Sequence, residues 1–250
     1  MHSHLKEYNV TVKEHFKVDS IKKGIIKSIK LSSGEIIKTK TIIIATGARW
    51  RELGVPGEKE NLGNGVAYCP HCDGPFFKGK DVAVVGGGNS GIEAALDLAG
   101  IVNKVTVFEF MSDLKADNIL VEKAKEKQNI DILTNVETSQ ILSNSGKVSG
   151  LEYIERDSSE KKIVDLEGIF VQIGLVPNSQ FLKGTVDLND FGEIIVNHLG
   201  ETSEEGIYAC GDVTTIPYKQ IIISMGEGAK TALSVSDYLM KSDDFSIIPN

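Results

Sequence analysis

The chain has 250 residues, 41% of them hydrophobic, and a formal net charge of -8 from 27 basic and 35 acidic side chains. That is apolar material for one large core or two modest ones, and far from the composition of a disordered polymer. The acidic balance, with no block of like charge, argues against nucleic acid as a partner, and no run reaches the roughly 20 apolar residues of a membrane span. No basic segment followed by an apolar run opens the chain, so a cytoplasmic location is expected. Cys69, Cys72 and Cys210 are too few for a disulfide framework at this size, and a close pair in a reducing compartment points to chemistry.

In chain order, strand-like patterning covers Asn9–Val12, Ile25–Leu31, Glu35–Ile37 and Thr41–Ala45, with a turn at Ser32-Ser33-Gly34, and predicts a small sheet. Gly54-Val55-Pro56-Gly57 reads as a linker. Next come a strand at Val82–Val85, a glycine turn, a helix with Ile92, Ala95, Leu96 and Ala99 on one face, and a strand at Lys104–Phe108, together a βαβ unit. A second helix carries Ala116, Ile119, Leu120 and Ala124 at helical spacing. Short strands are expected near Ile130–Thr134, Ser139–Leu142, Val148–Glu155 and Ile169–Ile173, with turns at Asn144-Ser145-Gly146 and Asp157-Ser158-Ser159. Gly174–Asn178 predicts a second linker. Beyond it lie strands at Glu193–Val196 and Gly206–Ala209 and a final helix expected to turn Ile221, Met225, Ala229, Ala232 and Leu233 inward.

Gly86-Gly87-Gly88-Asn89-Ser90-Gly91 places G-x-G-x-x-G after a buried strand and at a helix start, the context that makes the motif specific. Gly86 permits the tight turn, Gly88 lets a pyrophosphate approach the backbone, and Gly91 lets helix and strand pack closely, while the helix N-terminus with Asn89 and Ser90 favours an anion. Glu109, 23 residues after Gly86, ends the second strand, where a carboxylate accepts hydrogen bonds from both adenosine ribose hydroxyls. It would repel a 2′-phosphate, and Phe108, Phe110 and Met111 offer no cation, with Lys115 the nearest, so NADH is favoured over NADPH.

Cys69-Pro70-His71-Cys72 has the spacing of a reversible dithiol, and a cationic His71 would stabilise a nearby thiolate. Asp73 follows immediately and is a candidate to pass a proton to the thiolate released when an incoming disulfide is reduced, or else a solvated turn carboxylate. Half a zinc site is the competing reading of the pair, but no second Cys-x-x-Cys or close His pair supplies the other ligands. Cys210 reads as a buried core thiol.

Cys69–Asp73, the short spacer and the strand with its Gly86–Gly91 loop resemble the low-molecular-weight thioredoxin reductase class. The runs Cys69–Lys80, Gly86–Gly91, Asp97–Val102 and Pro217–Ile223 resemble more narrowly the flavoprotein (F) subunits of alkyl hydroperoxide reductase, along the chain from about Leu5 to Leu239. The resemblance implies an α/β fold in which a Rossmann-like NAD domain, βαβ plus β-meander, is inserted into a partial FAD-binding domain of the same type. The NAD(H)-binding domain with the cysteine pair would occupy 54–174, and the FAD-binding domain 1–50 and 177–250. The flavin-side signatures are Ala45-Thr46-Gly47 and Gly211-Asp212, with Asp212 near the flavin ribityl chain. Gln220 would lie beside the isoalloxazine at the start of the last helix, whose N-terminus stabilises negative charge on reduced flavin. The implied path runs from NADH to FAD, to the Cys69–Cys72 disulfide, and on to a disulfide of a thioredoxin-like or peroxiredoxin-system protein. Cys72 would be the flavin-proximal sulfur and Cys69 the one presented to the partner.

The glycine loop that grips the FAD pyrophosphate in that family has no counterpart before Ala45, and no thioredoxin-like region precedes it. An N-terminally truncated member is therefore expected, binding FAD weakly or not at all by itself unless another polypeptide supplies the missing half, and exposing apolar surface that invites association, a homodimer being one form. Two other readings compete with it. One is an NAD(H)-binding module whose catalysis is impaired for want of stable FAD. The other is a zinc-dependent interaction protein using Cys69, His71 and Cys72, which explains neither Gly86 nor Glu109.

Overall fold

A computed structural model describes residues 5, 7, 8 and 10–242. Its strands in chain order are β1 (Val18–Lys22), β2 (Lys27–Leu31), β3 (Ile36–Thr39), β4 (Ile42–Ile44), β5 (Ala48–Trp50), β6 (Val66–Ala67), β7 (Asp81–Val85), β8 (Lys104–Phe108), β9 (Ile130–Leu133), β10 (Val136–Asn144), β11 (Lys147–Glu155), β12 (Glu160–Asp165), β13 (Gly168–Val171), β14 (Leu175–Pro177) and β15 (Ile207–Ala209). The helices are α1 (Pro70–Asp73), α2 (Asn89–Ala99), α3 (Asn118–Lys125) and α4 (Ile221–Lys241). Two compact units result: Trp50–Leu175, and a second built from the segments that flank it. Among the described residues no helix is long and apolar enough to cross a membrane.

The unit Trp50–Leu175 is built on a five-stranded parallel sheet in the order β6-β13-β7-β8-β9. Along β7 the side chains alternate between two cores. Val82 and Val84 face Ile92 and Leu98 of α2 and Ala124 of α3, whereas Ala83 and Val85 face Ile141, Val148 and Leu151 of the antiparallel meander β10-β11-β12. A sheet covered on both faces needs strands that are apolar almost throughout, which is why Val82–Val85 reads as a continuous run and Val105–Phe108 is broken only by Thr106. Ile92 and Leu98 are fully buried, and each such side chain contributes about 1.5–3 kcal/mol to the fold.

The flanking unit holds an antiparallel sheet β1-β2-β3 and a parallel pair of β4 with β15, over a core that includes Ile42, Ile44, Leu182, Ile194 and Ile207. Several sequence expectations change here. Residues 10–14 form no strand, and Asn9 of the expected Asn9–Val12 strand lies outside the described residues. Glu193–Val196 is not a strand either; Ile194 makes only isolated bridges to Leu188 and Thr214.

The helix α4 is turned the other way from expectation. Ile221 is 84% and Leu233 71% exposed, Met225, Ala229 and Ala232 are also exposed, and the buried residues are Thr231 and Val235. The helix approaches Gly200 so closely that a Cβ there would lie 2.4 Å from Thr231 Oγ1. Its contact face is therefore made of small side chains, and the apolar stripe stays outside. In the central unit, Ile119 likewise points to solvent, and the charged edge strand β12 has no counterpart among the expected strands.

Candidate active site

Parallel pairing brings four strand ends to one edge of the sheet. The Gly86–Gly91 loop follows β7, Glu109 follows β8, Gln172 follows β13, and Tyr68 with Cys69 follows β6. With neighbouring strands about 4.8 Å apart, the Cys69 strand lies roughly 10 Å from the glycine-loop strand. Sequential strands run outward from β7 in one direction and β13 lies in the other, so the crevice between them is a topological switch point, where open α/β sheets bind their ligands.

The loop geometry fits a pyrophosphate. Gly86 holds φ at +121°, a conformation that L side chains rarely adopt, and a Cβ on it would lie 2.4 Å from Gln172 O. A Cβ on Gly91 would lie 1.8 Å from Gly86 O, whereas one on Gly88 would meet open space. Gly88 caps α2 with no side-chain hydrogen bond, which leaves the first-turn N–H groups to an anion, with Ser90 exposed beside them. The side chain of Asn89 is engaged elsewhere. Its Oδ1 accepts from Asp117 N–H at 2.7 Å and its Nδ2 donates to Asp117 Oδ2 at 3.0 Å, fastening the start of α3 to the loop. Asn89→Ala is expected to cost about 1–2 kcal/mol in denaturant unfolding for the two lost bonds, with NADH affinity changed little, because the side chain is occupied by Asp117.

Glu109 is buried, 8% exposed. Its Oε2 accepts from Gly87 N–H and its Oε1 from Met111 N–H at 2.7 Å. Each oxygen keeps lone pairs for a further donor, so the carboxylate is oriented yet still able to accept ribose hydroxyls. It borders a half-open cavity of about 300 Å³ whose apolar lining includes Val55, Phe110 and Ile173, a surface suited to an adenine ring. The nearest cation by sequence, Lys115, is exposed and reaches the loop through its backbone N–H, which donates to Gly87 O at 3.0 Å. Arg156 is the cation that sequence reasoning missed. Its guanidinium lies 3.9 Å from the centroid of the Phe110 ring and donates to Phe110 O at 3.0 Å and Asn135 Oδ1 at 3.1 Å. No local pattern announces this contact, because 46 residues separate the partners.

Cys69 and Cys72 form a disulfide with Cα atoms 5.3 Å apart. Cys69 caps the single turn α1, Pro70 starts it, Cys72 N–H donates to Cys69 Sγ at 3.2 Å, and Asp73 N–H donates to Cys69 O at 2.9 Å. Cys69 and Asp73 line the same half-open cavity of about 380 Å³, together with Trp50, Tyr68 and Phe76. Cys69 is half-buried and Cys72 exposed. His71 Nδ1 faces Asp97 Oδ2 at 3.3 Å, a carboxylate on α2 that would pair with the ring when it is protonated. Cys210 is buried in the flanking unit, and burial pushes its thiol pKa up, which keeps it protonated and unreactive.

In the flanking unit, Thr46 and Gly47 follow β4 while Gly211 and Asp212 follow β15, so parallel pairing sets both signatures at one edge. Thr46 Oγ1 donates to Asn178 O at 2.8 Å, and Asn178 N–H donates to Gly47 O at 3.0 Å. Ser224, unremarked in the sequence, gathers the rest: its Oγ donates to Asp212 Oδ1 at 2.9 Å and its N–H to the carbonyl of Gln220, the N-cap of α4.

The profile of the pyridine nucleotide-disulphide oxidoreductases matches residues 2–233. The chain is 52% identical over 245 residues to the F subunit of alkyl hydroperoxide reductase of Pseudomonas putida, covering 97% of this chain and 47% of that protein. It is 51% identical over 242 residues to "NADH dehydrogenase" of Ferdinandcohnia aciditolerans, covering 97% and 46%. The crystal structure of thioredoxin reductase from Streptococcus pyogenes superposes with a TM-score of 0.89 at 33% identity, covering 96% of this chain and 78% of that one. The chain thus spans about half the length of the curated relatives it matches. With a matched profile along nearly its whole length, the chain belongs to the pyridine nucleotide-disulphide oxidoreductase family.

Proposed function

We propose that this chain carries the NADH-binding and disulfide-bearing part of a flavoprotein disulfide reductase, passing two electrons from NADH to Cys69–Cys72 and on to a protein disulfide. One observation carries the reading: the Gly86–Gly91 loop with Glu109, and the Cys69–Cys72 disulfide, stand at the same edge of one parallel sheet. Gly88 and the α2 N-terminus would hold the pyrophosphate, Glu109 the ribose hydroxyls, and Phe110 the adenine side. The acceptor is a disulfide of a thioredoxin-like or peroxiredoxin-system protein, in keeping with the names of the relatives.

FAD, when bound, would take the hydride of NADH and return two electrons to the disulfide. Residues suited to its ribityl and ring end are present: Thr46, Gly47, Gly211, Asp212 and Gln220, with Asp212 already oriented by Ser224. No glycine loop of the pyrophosphate-binding kind lies among the described residues before Ala45. In the disulfide, Cys72 N–H donates toward Cys69 Sγ; kept in the dithiol, that bond would favour the thiolate on Cys69. Cys69 would then attack the partner disulfide, one partner sulfur leaving as a thiolate that takes a proton from Asp73, and Cys72 would displace the second to restore the Cys69–Cys72 bond.

Equilibrium titration tests the nucleotide half. NADH should bind at least about tenfold more tightly than NADPH, since a buried carboxylate facing a phosphate is costly. Glu109→Gln should weaken NADH by about tenfold through loss of charge-assisted bonds to the ribose, and narrow that preference. Equal affinities for the two nucleotides in the unaltered chain would remove Glu109 from the site.

A further inference from the structure

Glu58 is a buried carboxylate, 1% exposed, that the chemistry above does not use. Its Oε1 accepts from Leu53 N–H and from the Tyr68 hydroxyl, both at 2.9 Å, and its Oε2 accepts from Gly54 N–H at 2.8 Å. Leu53 and Gly54 belong to the chain just entering the unit. Tyr68 is the residue before Cys69, and its ring stacks on Trp50 with centroids 5.9 Å apart. The backbone carbonyl of Tyr68 is held from the other side: Gln172 Nε2 donates to it at 2.8 Å, and Gln172 lies two residues before Gly174, whose carbonyl accepts from Arg51 N–H at 3.0 Å. The peptide that carries Cys69 is therefore bonded both to the chain entering the unit and to the chain about to leave it.

We infer that Glu58, Tyr68 and Gln172 form a clasp that positions Cys69 for exchange with Cys72 by fixing the Cys69 backbone to both chain crossings. None of the three acts as acid or base toward a sulfur; they are positioning residues, and the inference rests on the redox reading of the cysteine pair. A carboxylate buried with three donors is a costly group to leave half-satisfied, so each of the three bonds helps to hold it. Burial, then the Glu58 bond, pushes the Tyr68 phenol pKa well up, which keeps its proton in place as the donor. The physical consequence concerns how often the two sulfurs meet. Ring closure between Cys69 and Cys72 is favoured when the first is already immobile, and a loosened Cys69 lowers the effective concentration of one thiol at the other.

The test is the equilibrium of the whole chain with glutathione, in which one Cys69–Cys72 dithiol and one glutathione disulfide give the intramolecular disulfide and two glutathione thiols. The equilibrium constant is read by trapping and counting thiols in folded protein, alongside thermal unfolding. Tyr68→Phe keeps the ring on Trp50 and removes only the hydroxyl; the constant should fall by about threefold, and by about tenfold in Glu58→Gln, where a charge-assisted acceptor is lost. The double variant should fall no further than Glu58→Gln, as members of one unit behave. Should Glu58→Gln fail to fold, Tyr68→Phe alone decides, since it leaves both backbone bonds of Glu58 in place. Variants that melt earlier while the constant stays within about twofold of the unaltered chain would make the cluster merely structural and overturn the inference. An unaltered chain with no measurable dithiol–disulfide equilibrium would overturn the redox reading itself, and the clasp with it.

Discussion

Gly91→Ala should abolish measurable NADH binding and lower stability by about 3 kcal/mol, the upper end of what overpacking costs. The added Cβ would stand 1.8 Å from the carbonyl oxygen of Gly86, well inside van der Waals contact, and backbone cannot yield as the end of a flexible side chain can. Relief requires α2 to move off β7, and Ile92 and Leu98 of that helix are completely buried against Val82 and Val84. Moving the helix would also take its N-terminus away from the proposed pyrophosphate site. Denaturant unfolding and NADH titration of Gly91→Ala read the two consequences separately. Gly88→Ala offers the contrast: its Cβ meets open space in the protein, so stability should change little while NADH affinity falls, because that space is where the pyrophosphate would lie.

Replacing Cys72 with serine should turn the consumption of a reagent disulfide into a trapped adduct on Cys69. The reduced, unaltered chain should attack an aromatic disulfide through Cys69, release one aryl thiol, and then release the second as Cys72 closes the internal disulfide, leaving no adduct. Cys72→Ser should release one aryl thiol and retain the other half on Cys69. Cys69→Ser should react about ten- to a hundredfold more slowly, because its remaining thiol lacks the N–H that Cys72 donates to Cys69 Sγ. Thiol counts and protein mass after reaction decide the matter. The buried Cys210 should stay unmodified in all three, since burial raises its pKa and shields it. A stable adduct on Cys72 in Cys69→Ser, formed as fast as the Cys69 adduct, would assign attack to the more exposed sulfur instead.

The sheet edge was legible in the residues because its parts are local. The run Val82–Val85, the loop Gly86–Gly91 and Glu109 lie within one βαβ unit, where strand, turn and helix periodicities follow each other directly. The cysteine pair was legible for the same reason. Contacts made by distant segments were not. Arg156 reaches Phe110 only once the meander has folded against the sheet, and Gln172 reaches Tyr68 across 104 residues. Glu58 lies only ten residues from Tyr68, but in a stretch with no periodicity to announce a buried carboxylate.

Misread faces had a different cause. On α4 the apolar stripe of Ile221, Met225 and Leu233 is the stronger pattern, yet the close approach of Gly200 selects the face bearing Thr231 and Val235. Periodicity reports which residues are apolar, and backbone proximity decides which face fits. Asp97, which faces His71 across 26 residues, is likewise a contact that the neighbours in sequence do not announce.

The most direct measurement of electron flow uses the purified chain with FAD kept in excess, mixed anaerobically with NADH while flavin colour and protein thiols are followed together. The proposal requires flavin that bleaches on adding NADH faster than FAD without protein does, with two new thiols per chain at Cys69 and Cys72 and none in Cys72→Ser beyond its own free cysteines. A chain that binds NADH but, with FAD supplied, neither speeds the bleaching nor forms those thiols would contradict it and leave a nucleotide-binding module.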